Sequence, residues 1–306
     1  ASLIAFSEVW IPGYPNFLWS GTYRENLPLV QKYMQNSMSA YGDEMLQIRQ
    51  ATAAANIYVC ASLYLAQVFI GPNGNILFHR RKTKPTHVER TIFGDSTGDS
   101  LTIVADTPLG KIGMLNCWEH FQPLLKYHTY CQGEQVHIAA WPFNESYTDK
   151  ALEPFSVFSE ANEVTASRMY AMEGAVFVLV TNQPLSAEGP RLNSEGQGNS
   201  DKDGFMLAGG GGRAAGFGPD GKLLTEPTDP KFDGLIYCDI DLDQIDYAKT
   251  LINCVGHYSR PDLLRLVVDD QPKNYVVRVR MGLLTLLIIR ALAVKHCSQP
   301  IRRWTR

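Results

Sequence analysis

The feature of this sequence that most constrains its fold is an alternation of short apolar segments with segments of helical periodicity. Several of the apolar segments are apolar in both phases, as strands covered on both faces are. We predict strands at 56–60, 63–70, 75–80, 101–106, 111–116, 135–141, 175–182 and 235–242. We predict helices at 43–55, 123–131 and 158–173. Strands that alternate with helices indicate an α/β layered fold.

Turn residues punctuate this pattern. GPNGN (71–75) and GPDGK (218–222) each lie between apolar runs and predict hairpin-like turns. Residues 183–212 are polar and rich in glycine, which predicts a long surface loop. Beyond Tyr258 the sequence becomes irregular.

Length and charge limit the classes of function. A chain of 306 residues forms one large domain or two modest ones. The net charge of −3 and the absence of a convincing Lys/Arg run argue against a nucleic-acid partner. The most apolar run, at 283–294, is shorter than a bilayer span and contains Arg290, so we expect a docking helix or interface element and no membrane partner.

The six cysteines predict neither a disulfide framework nor a metal site. They form no CxxC pair, and no Cys/His spacing is typical of zinc. The start of the sequence has no secretory n-region or cleavage site. We therefore expect a reduced protein in the cytoplasm, with no metal.

Reactive side chains follow several predicted strands. Cys117 comes directly after the strand at 111–116, Glu8 ends an apolar segment, and Lys82 and Glu89 lie beyond the strand at 75–80. In open α/β sheets functional groups gather at the carboxyl ends of strands, so these groups could converge. A thiol nucleophile requires a base or a lowered pKa, which such neighbours can supply.

Spacing alone leaves other interpretations open. Cys117 could be a small buried hydrophobe, and Glu8 and Lys82 could be structural. His257, in GHYSRPD, could be the base of a Cys–His enzyme or a surface hydrogen-bonding group. The glycines at 209–212 lack the context of a phosphate-binding loop.

Five separated motifs carry a resemblance to a known family. They are FSEVWIPGYP, RRKTKPTHVER, LNCWEH, GEQVHIAAWP and VGHYSRPD. In this order they resemble the nitrilase branch of the carbon–nitrogen hydrolase superfamily, which includes the cyanide hydratases. The resemblance covers residues 1–265 as one domain and leaves 266–306 as an unassigned C-terminal tail. It implies an α/β fold, the four-layer αββα sandwich.

The resemblance also assigns roles to individual residues. It implies that Cys117 is the nucleophile and Glu8 the general base. It implies that Lys82 stabilises the tetrahedral intermediate and that Glu89 positions the substrate and the lysine. No cofactor is implied. The implied reaction is hydrolysis of a nitrile to the carboxylic acid and ammonia through a cysteine-bound intermediate.

Substrate and partners are expected from the same resemblance. Tyr14, Trp118 and Trp141 are candidate substrate-binding residues for an aromatic nitrile, although aromatic residues near a site often belong to the core. One alternative is a cyanide hydratase, which forms formamide. Another is a truncated, inactive member that acts only in assembly. Members of the family commonly form dimers and spiral oligomers, so self-association is expected.

The sequence also departs from the family pattern. We expect the family's N-terminal strand and helix to be missing before Glu8, and Ser7 stands where the family usually has proline. Residues 60–67 lack the polar hairpin that the family has between two strands, and 270–306 do not resemble the family. We therefore expect an intact catalytic cluster on a compromised scaffold, with an exposed sheet edge.

Overall fold

The computed structural model describes residues 1–19, 21–143, 165–186, 188–189, 210–226, 228–274 and 276–277. The chain separates into two compact units, Ala1–Gln271 and Pro272–Arg306. The few described residues of the second unit have no regular secondary structure. Most of the predicted loop at 183–212, the start of the predicted helix at 158–173 and the apolar run at 283–294 lie outside the described residues.

The first sheet has four strands in sequential order. Its strands are β1 (Leu3–Ala5), β2 (Tyr58–Leu63), β3 (Ala66–Ile70) and β4 (Ile76–Arg81). β1 pairs parallel with β2, and β2, β3 and β4 form an antiparallel meander. The predicted turn at 71–75 joins β3 to β4, where the Gly71 N–H donates to the Asn75 carbonyl over 2.8 Å.

A two-residue hairpin between β2 and β3 corrects the prediction of one strand over 63–70. Tyr64 and Leu65 form this turn, and Tyr64 has a φ of 51°. Turns of this kind usually carry glycine or asparagine, because a positive φ is unfavourable for other side chains. Here the Tyr64 ring packs 4.4 Å from that of Phe93, and Leu65 is buried. Apolar contacts stabilise a turn that has no polar signature, so the expected absence of a hairpin at 60–67 was wrong.

The second sheet has five strands, also in sequential order. Its strands are β5 (Val104–Thr107), β6 (Gly110–Asn116), β7 (Val136–Trp141), β8 (Phe177–Asn182) and β9 (Ala215–Phe217). β6, β7 and β8 are parallel, and β5 and β9 pair antiparallel at the two edges. The carboxyl ends of these parallel strands lie at the same end of the sheet. There Asn116, the last residue of β6, is followed by Cys117.

The strand predicted at 235–242 is wrong. This segment belongs to no ladder, although its side chains alternate between exposed and half-buried. Its half-buried residues Ile240 and Leu242 pack against the core, and Cys238 lies close to Gly216 of β9. The alternating pattern therefore reflects packing over the end of the sheet without hydrogen bonding into it.

The described part of the chain contains five α-helices. They are α1 (Tyr23–Gln35), α2 (Asp43–Ala55), α3 (Pro123–Cys131), α4 (Ser167–Gly174) and α5 (Asp243–Leu251). α2 and α3 have the predicted bounds. The prediction missed α1, whose capping box from Thr22 and Glu25 was its signal. None of the helices described is long and apolar enough to cross a bilayer.

Three layers of buried side chains separate four layers of backbone. On the outer side of the first sheet, Val59 and Ile70 pack against Met45 of α2. Between the two sheets lie alternate residues of both sheets, with Cys60, Phe69, Ile112, Met114, Val136, Ile138 and Phe177 in contact. The predicted αββα order is therefore confirmed for the outer and central layers around the first sheet.

The fourth layer lies on the far face of the second sheet. Residues of opposite phase in β6 and β8, such as Leu115 and Val178, pack there against Tyr130 of α3 and Tyr170 of α4. This alternation explains why the strands of the second sheet are apolar in both phases. The four layers together form the αββα sandwich.

Candidate active site

The candidate catalytic residues follow strands of both sheets. Glu8 comes three residues after β1, Lys82 directly after β4, and Cys117 directly after β6. Glu89 lies in a short 3₁₀ turn, His87–Thr91, beyond Lys82. Because the sheets pack face to face, these strand ends meet, and the structure brings together the four residues that the motifs singled out.

Lys82 lies at the centre of this cluster. Its ammonium nitrogen, Nζ, lies 2.9 Å from Glu8 Oε1 and 2.9 Å from Glu89 Oε2. All three side chains are buried. Burial alone would lower the pKa of Lys82, but the two carboxylates outweigh it and raise that pKa above its ordinary value. Lys82 therefore remains a cation inside the protein.

Glu8 has the properties of a general base. Burial raises its pKa from 4.5 to about 8, against the lowering effect of Lys82, and Glu89 adds to the increase. Among the described residues no donor reaches its second oxygen, Oε2, which is itself buried. A carboxyl group with a pKa near neutrality and a free oxygen can accept and return a proton.

Glu89 holds its place through three sets of contacts. It accepts hydrogen bonds from Lys82, from the Tyr14 hydroxyl over 3.1 Å and from the Thr86 backbone N–H over 2.6 Å. These contacts occupy both carboxylate oxygens. Glu89 therefore orients Lys82, whereas Glu8 keeps an oxygen for chemistry.

Cys117 lies in a strained backbone conformation directly after β6. Its φ is 48°, in the left-handed region that non-glycine residues rarely adopt, and strain of this kind is concentrated at functional sites. The side chain is 4% exposed. Burial raises the pKa of the thiol, as do Glu8 and Glu89, while Lys82 and the Trp118 backbone N–H lower it. The thiol therefore requires a base, and Glu8 is the available one.

A second buried ion pair supports the turn that carries Cys117. The two ends of the Arg80 guanidinium contact the two oxygens of Glu119 at 2.5 and 2.8 Å. Glu119 also accepts from the backbone N–H groups of Asn116 and Thr83. Although burial would raise the pKa of Glu119, Arg80 and these donors lower it to about 2. The pair links the end of β4 to the end of β6.

Arg80 and Glu119 were not predicted as site residues. A signal was present, because Arg80 occupies the inward phase of β4, where a charged side chain requires a buried partner. Glu119 is the last letter of the CWE motif. The spacing of Arg80 and Glu119 in the sequence does not indicate that they pair with each other.

The three candidate substrate-binding residues lie in different environments. Tyr14 belongs to a loop that lines a cavity of about 200 Å³ together with Tyr33. Trp118 is partly buried, with its ring 4.9 Å from that of Phe121. Trp141 is completely buried, and its indole N–H donates to Ser167. Trp141 is therefore a core residue. Substrate contact by Tyr14, Trp118 or Trp141 stays a prediction.

The structure does not favour a Cys–His pair with His257. His257 is exposed and its ring packs beside Tyr258, whereas Cys117 is buried next to Glu8 and Lys82. In the described residues no group of three or more His, Cys, Asp or Glu side chains could hold a metal ion.

The sequence profile of the carbon–nitrogen hydrolases matches residues 1–250. This chain belongs to the carbon–nitrogen hydrolase family. Relatives extend the match over most of the chain. A cyanide hydratase of Aspergillus niger is 45% identical over 284 residues, covering 90% of this chain and 79% of the relative.

Relatives with other names are about as similar. An arylacetonitrilase of Aspergillus kawachii is 45% identical over 90% of this chain and 84% of its own length. A nitrilase of Talaromyces marneffei is 43% identical over 91% of this chain and 88% of its own length. Identity alone therefore does not separate the hydratases from the nitrilases.

Solved structures of carbon–nitrogen hydrolases have the same fold. A carbon–nitrogen hydrolase from Helicobacter pylori superimposes with a TM-score of 0.60 at 15% identity, over 82% of this chain and 80% of the other. A nitrilase-superfamily protein from Saccharomyces cerevisiae gives 0.58 at 14% identity, over 84% and 83%. At these identities the similarity establishes the fold.

Proposed function

We propose that this protein hydrolyses an organic nitrile to its carboxylic acid and ammonia, with Cys117 as the nucleophile. The observation that carries the proposal is the buried cluster in which Lys82 contacts Glu8 and Glu89 next to the Cys117 thiol. The cluster combines a base, a cation and a soft nucleophile, which are the groups that attack on a weakly electrophilic carbon requires.

The first half of the proposed reaction forms a thioimidate. The Cys117 sulfur attacks the nitrile carbon, and the thiol proton passes by way of Glu8 to the nitrile nitrogen. A water molecule that donates its proton to Glu8 then adds to the same carbon, and the nitrogen receives that proton. Lys82 and the Trp118 backbone N–H stabilise the charge that develops in these steps.

The second half releases the two products. The hydroxyl proton of the tetrahedral intermediate passes by way of Glu8 to the nitrogen, the carbon–nitrogen bond breaks, and ammonia leaves a thioester to Cys117. A second water molecule, again activated by Glu8, attacks the thioester. The carbon–sulfur bond breaks, the sulfur regains its proton and the carboxylic acid leaves, so one nitrile and two waters give one acid and one ammonia.

Hydration of cyanide to formamide is the second candidate. The similarity to proteins named cyanide hydratase, at 45–46% identity, favours it. The same cluster would support this reaction up to the tetrahedral intermediate. If the carbon–sulfur bond breaks before the carbon–nitrogen bond, one water is consumed and the amide leaves with its nitrogen.

The test measures ammonia and amide from phenylacetonitrile, benzonitrile, a short aliphatic nitrile and cyanide. Ammonia from an organic nitrile, lost in Cys117→Ala, supports the nitrilase reaction. The matched control is Cys131→Ala, since Cys131 is an exposed cysteine at the end of α3. Formamide from cyanide without ammonia would support the second candidate. If folded protein forms no product from any of the four substrates, both proposed reactions would be contradicted. That result would support the alternative of an inactive family member.

Self-association is proposed from the family resemblance. Light scattering coupled to size-exclusion chromatography would measure it. A defined dimer or larger oligomer agrees with the proposal, whereas a monomer at micromolar concentration contradicts it. Material that elutes only in the void volume would point to the exposed apolar surface of a compromised scaffold.

A further inference from the structure

A chain of four buried side chains extends from the backbone of Cys117 into the α3–α4 side of the sandwich. His120 Nδ1 lies 2.6 Å from the Cys117 carbonyl oxygen, and His120 Nε2 lies 3.0 Å from His137 Nε2. His137 Nδ1 lies 2.6 Å from Glu134 Oε1, and the Tyr170 hydroxyl donates to Glu134 Oε2 over 2.7 Å. All four side chains are at most 1% exposed. The proposed reaction uses none of them directly.

The carbonyl at one end sets the direction of every hydrogen bond in this chain. A carbonyl oxygen only accepts, so His120 must carry its proton on Nδ1. A neutral His120 then accepts at Nε2, and His137 must donate from its own Nε2. A neutral His137 accepts at Nδ1, so Glu134 must carry a proton and donate it. The alternative is one imidazolium balanced by a Glu134 carboxylate.

Burial favours the neutral arrangement. It lowers the pKa of His120 to about 3, with His137 adding to the decrease, and it lowers the pKa of His137 well below its ordinary value. It raises the pKa of the Glu134 carboxyl well above its ordinary value. The charged groups that act on the two histidines are Arg80, Glu119 and Lys126. Of these, Arg80 and Glu119 are paired with each other.

The first bond of the chain acts on the peptide that joins Cys117 to Trp118. That peptide is planar, so its carbonyl and its N–H move together. His120 holds the carbonyl, and the Trp118 N–H lies within hydrogen-bonding reach of the Cys117 sulfur. A donor on the carbonyl also polarises the peptide and makes its N–H a stronger donor.

We propose that His120, its tautomer fixed by a neutral relay through His137 and Glu134, is a positioning residue that aims the Trp118 N–H at the Cys117 sulfur and at the charge formed during the reaction. The relay also holds Cys117 at its φ of 48°. The role in turnover rests on the proposed function, whereas the effect on the thiol does not. Glu8, Lys82 and Glu89 are the charged groups that act on the thiol, and they are unchanged in the test below.

The test compares alkylation of Cys117 by iodoacetamide as a function of pH, followed by mass spectrometry of the Cys117 peptide. His120→Leu removes the donor, and we expect the midpoint of alkylation to rise by about one pH unit. We expect kcat to fall about tenfold with KM within about twofold, part of what loss of a whole oxyanion donor costs. His120→Asn keeps an N–H near the position of Nδ1 and should restore the wild-type midpoint.

Glu134 provides a second test of the proton direction. In Glu134→Gln the side-chain amide still donates to His137 and still accepts from Tyr170, so the midpoint should match that of the wild type. Glu134→Leu removes the donor and should raise the midpoint. Tyr130→Phe is the matched control, because it removes a buried hydroxyl of the same core cluster that contacts Glu173 and the Tyr170 backbone carbonyl but none of the relay side chains by hydrogen bonding. ¹⁵N NMR should show neutral tautomers, with the proton on Nδ1 of His120 and on Nε2 of His137.

Several results would overturn the proposal. An unchanged alkylation midpoint in folded His120→Leu would do so, as would an imidazolium signal from His120 or His137 at pH 7. If His120→Leu does not fold, equal midpoints for Glu134→Leu and Glu134→Gln would have the same effect. A wild-type protein that converts no nitrile would contradict the proposed function alone, since alkylation still reports on the relay.

Discussion

Replacing Glu8 by glutamine should make the protein more stable at alkaline pH while abolishing turnover. Glutamine keeps the size of the side chain and an oxygen that can accept from Lys82, which lies 2.9 Å from Glu8 Oε1. It removes the titration of a completely buried carboxyl group. The effect on stability follows from the difference between the pKa of Glu8 in the folded and in the unfolded chain.

The sign and the size of that effect follow from linkage. The folded pKa of Glu8 is about 8 and the unfolded value is near 4.5, so the unfolded chain loses its proton first as the pH rises. The contribution of Glu8 to wild-type stability is therefore fully present below pH 4.5 and is lost as the pH rises from 4.5 to 8. A shift of this size corresponds to roughly 5 kcal/mol, at about 1.4 kcal/mol per pH unit within the window.

The assay is urea denaturation of the wild type and of Glu8→Gln at intervals from pH 5 to pH 9. We expect nearly equal stabilities at pH 5 and a growing advantage for the variant up to about pH 8. The control is Glu25→Gln in the exposed capping box of α1, where hydrogen bonds from Thr22 lower the carboxyl pKa. Its stability relative to the wild type should stay nearly constant from pH 5 to pH 9, because a lowered pKa changes stability only below about pH 4.5. A difference between Glu8→Gln and the wild type that does not change with pH would refute the raised pKa.

Two further predictions concern stability away from the thiol. Arg80→Met leaves the buried Glu119 carboxylate without its cation and should lower the free energy of unfolding by about 3–5 kcal/mol. Urea denaturation measures this loss, and a loss below about 1 kcal/mol would contradict the reasoning. Gly74→Ala should lower it by about 1–3 kcal/mol, measured by thermal unfolding, because φ is +76° and the new Cβ would lie 2.6 Å from the Arg49 carbonyl oxygen. Gly133→Ala, with a φ of +78° but no backbone atom among its nearest contacts, should cost less.

Local patterns in the sequence predicted much of the fold. The helices over 43–55 and 123–131 were predicted with their bounds, because their periodicity lies within one segment. The hairpin at Tyr64 escaped prediction because its stability comes from Phe93, a residue far along the chain. The segment 235–242 has the pattern of a strand, but a strand also requires hydrogen bonding to a neighbouring strand, which no local pattern reports.

The residues of the candidate site were likewise predicted only in part. Motifs singled out Glu8, Lys82, Glu89 and Cys117, and the structure brings these four together. The motifs did not reveal which groups lie behind Cys117. The relay joins His120, in the 3₁₀ turn before α3, to His137 of β7 and to Glu134 between α3 and β7, and its hydrogen bonds exist only after these elements pack together. Proton positions in such a network depend on tertiary neighbours.

The candidate cluster combines residues from both sheets, and this has a consequence for how the protein acquires its reactivity. Glu8 and Lys82 extend from the first sheet and Cys117 from the second, so the base meets the thiol only across the packed interface between them. A chain that has formed either sheet alone lacks both the burial that raises the pKa of the Cys117 thiol and the Glu8 base beside it, so the thiol behaves as a free cysteine does. The change in Cys117 alkylation during refolding, from that of a free cysteine to that of the folded site, therefore reports when the two sheets dock, which spectroscopic probes of helix or strand content do not.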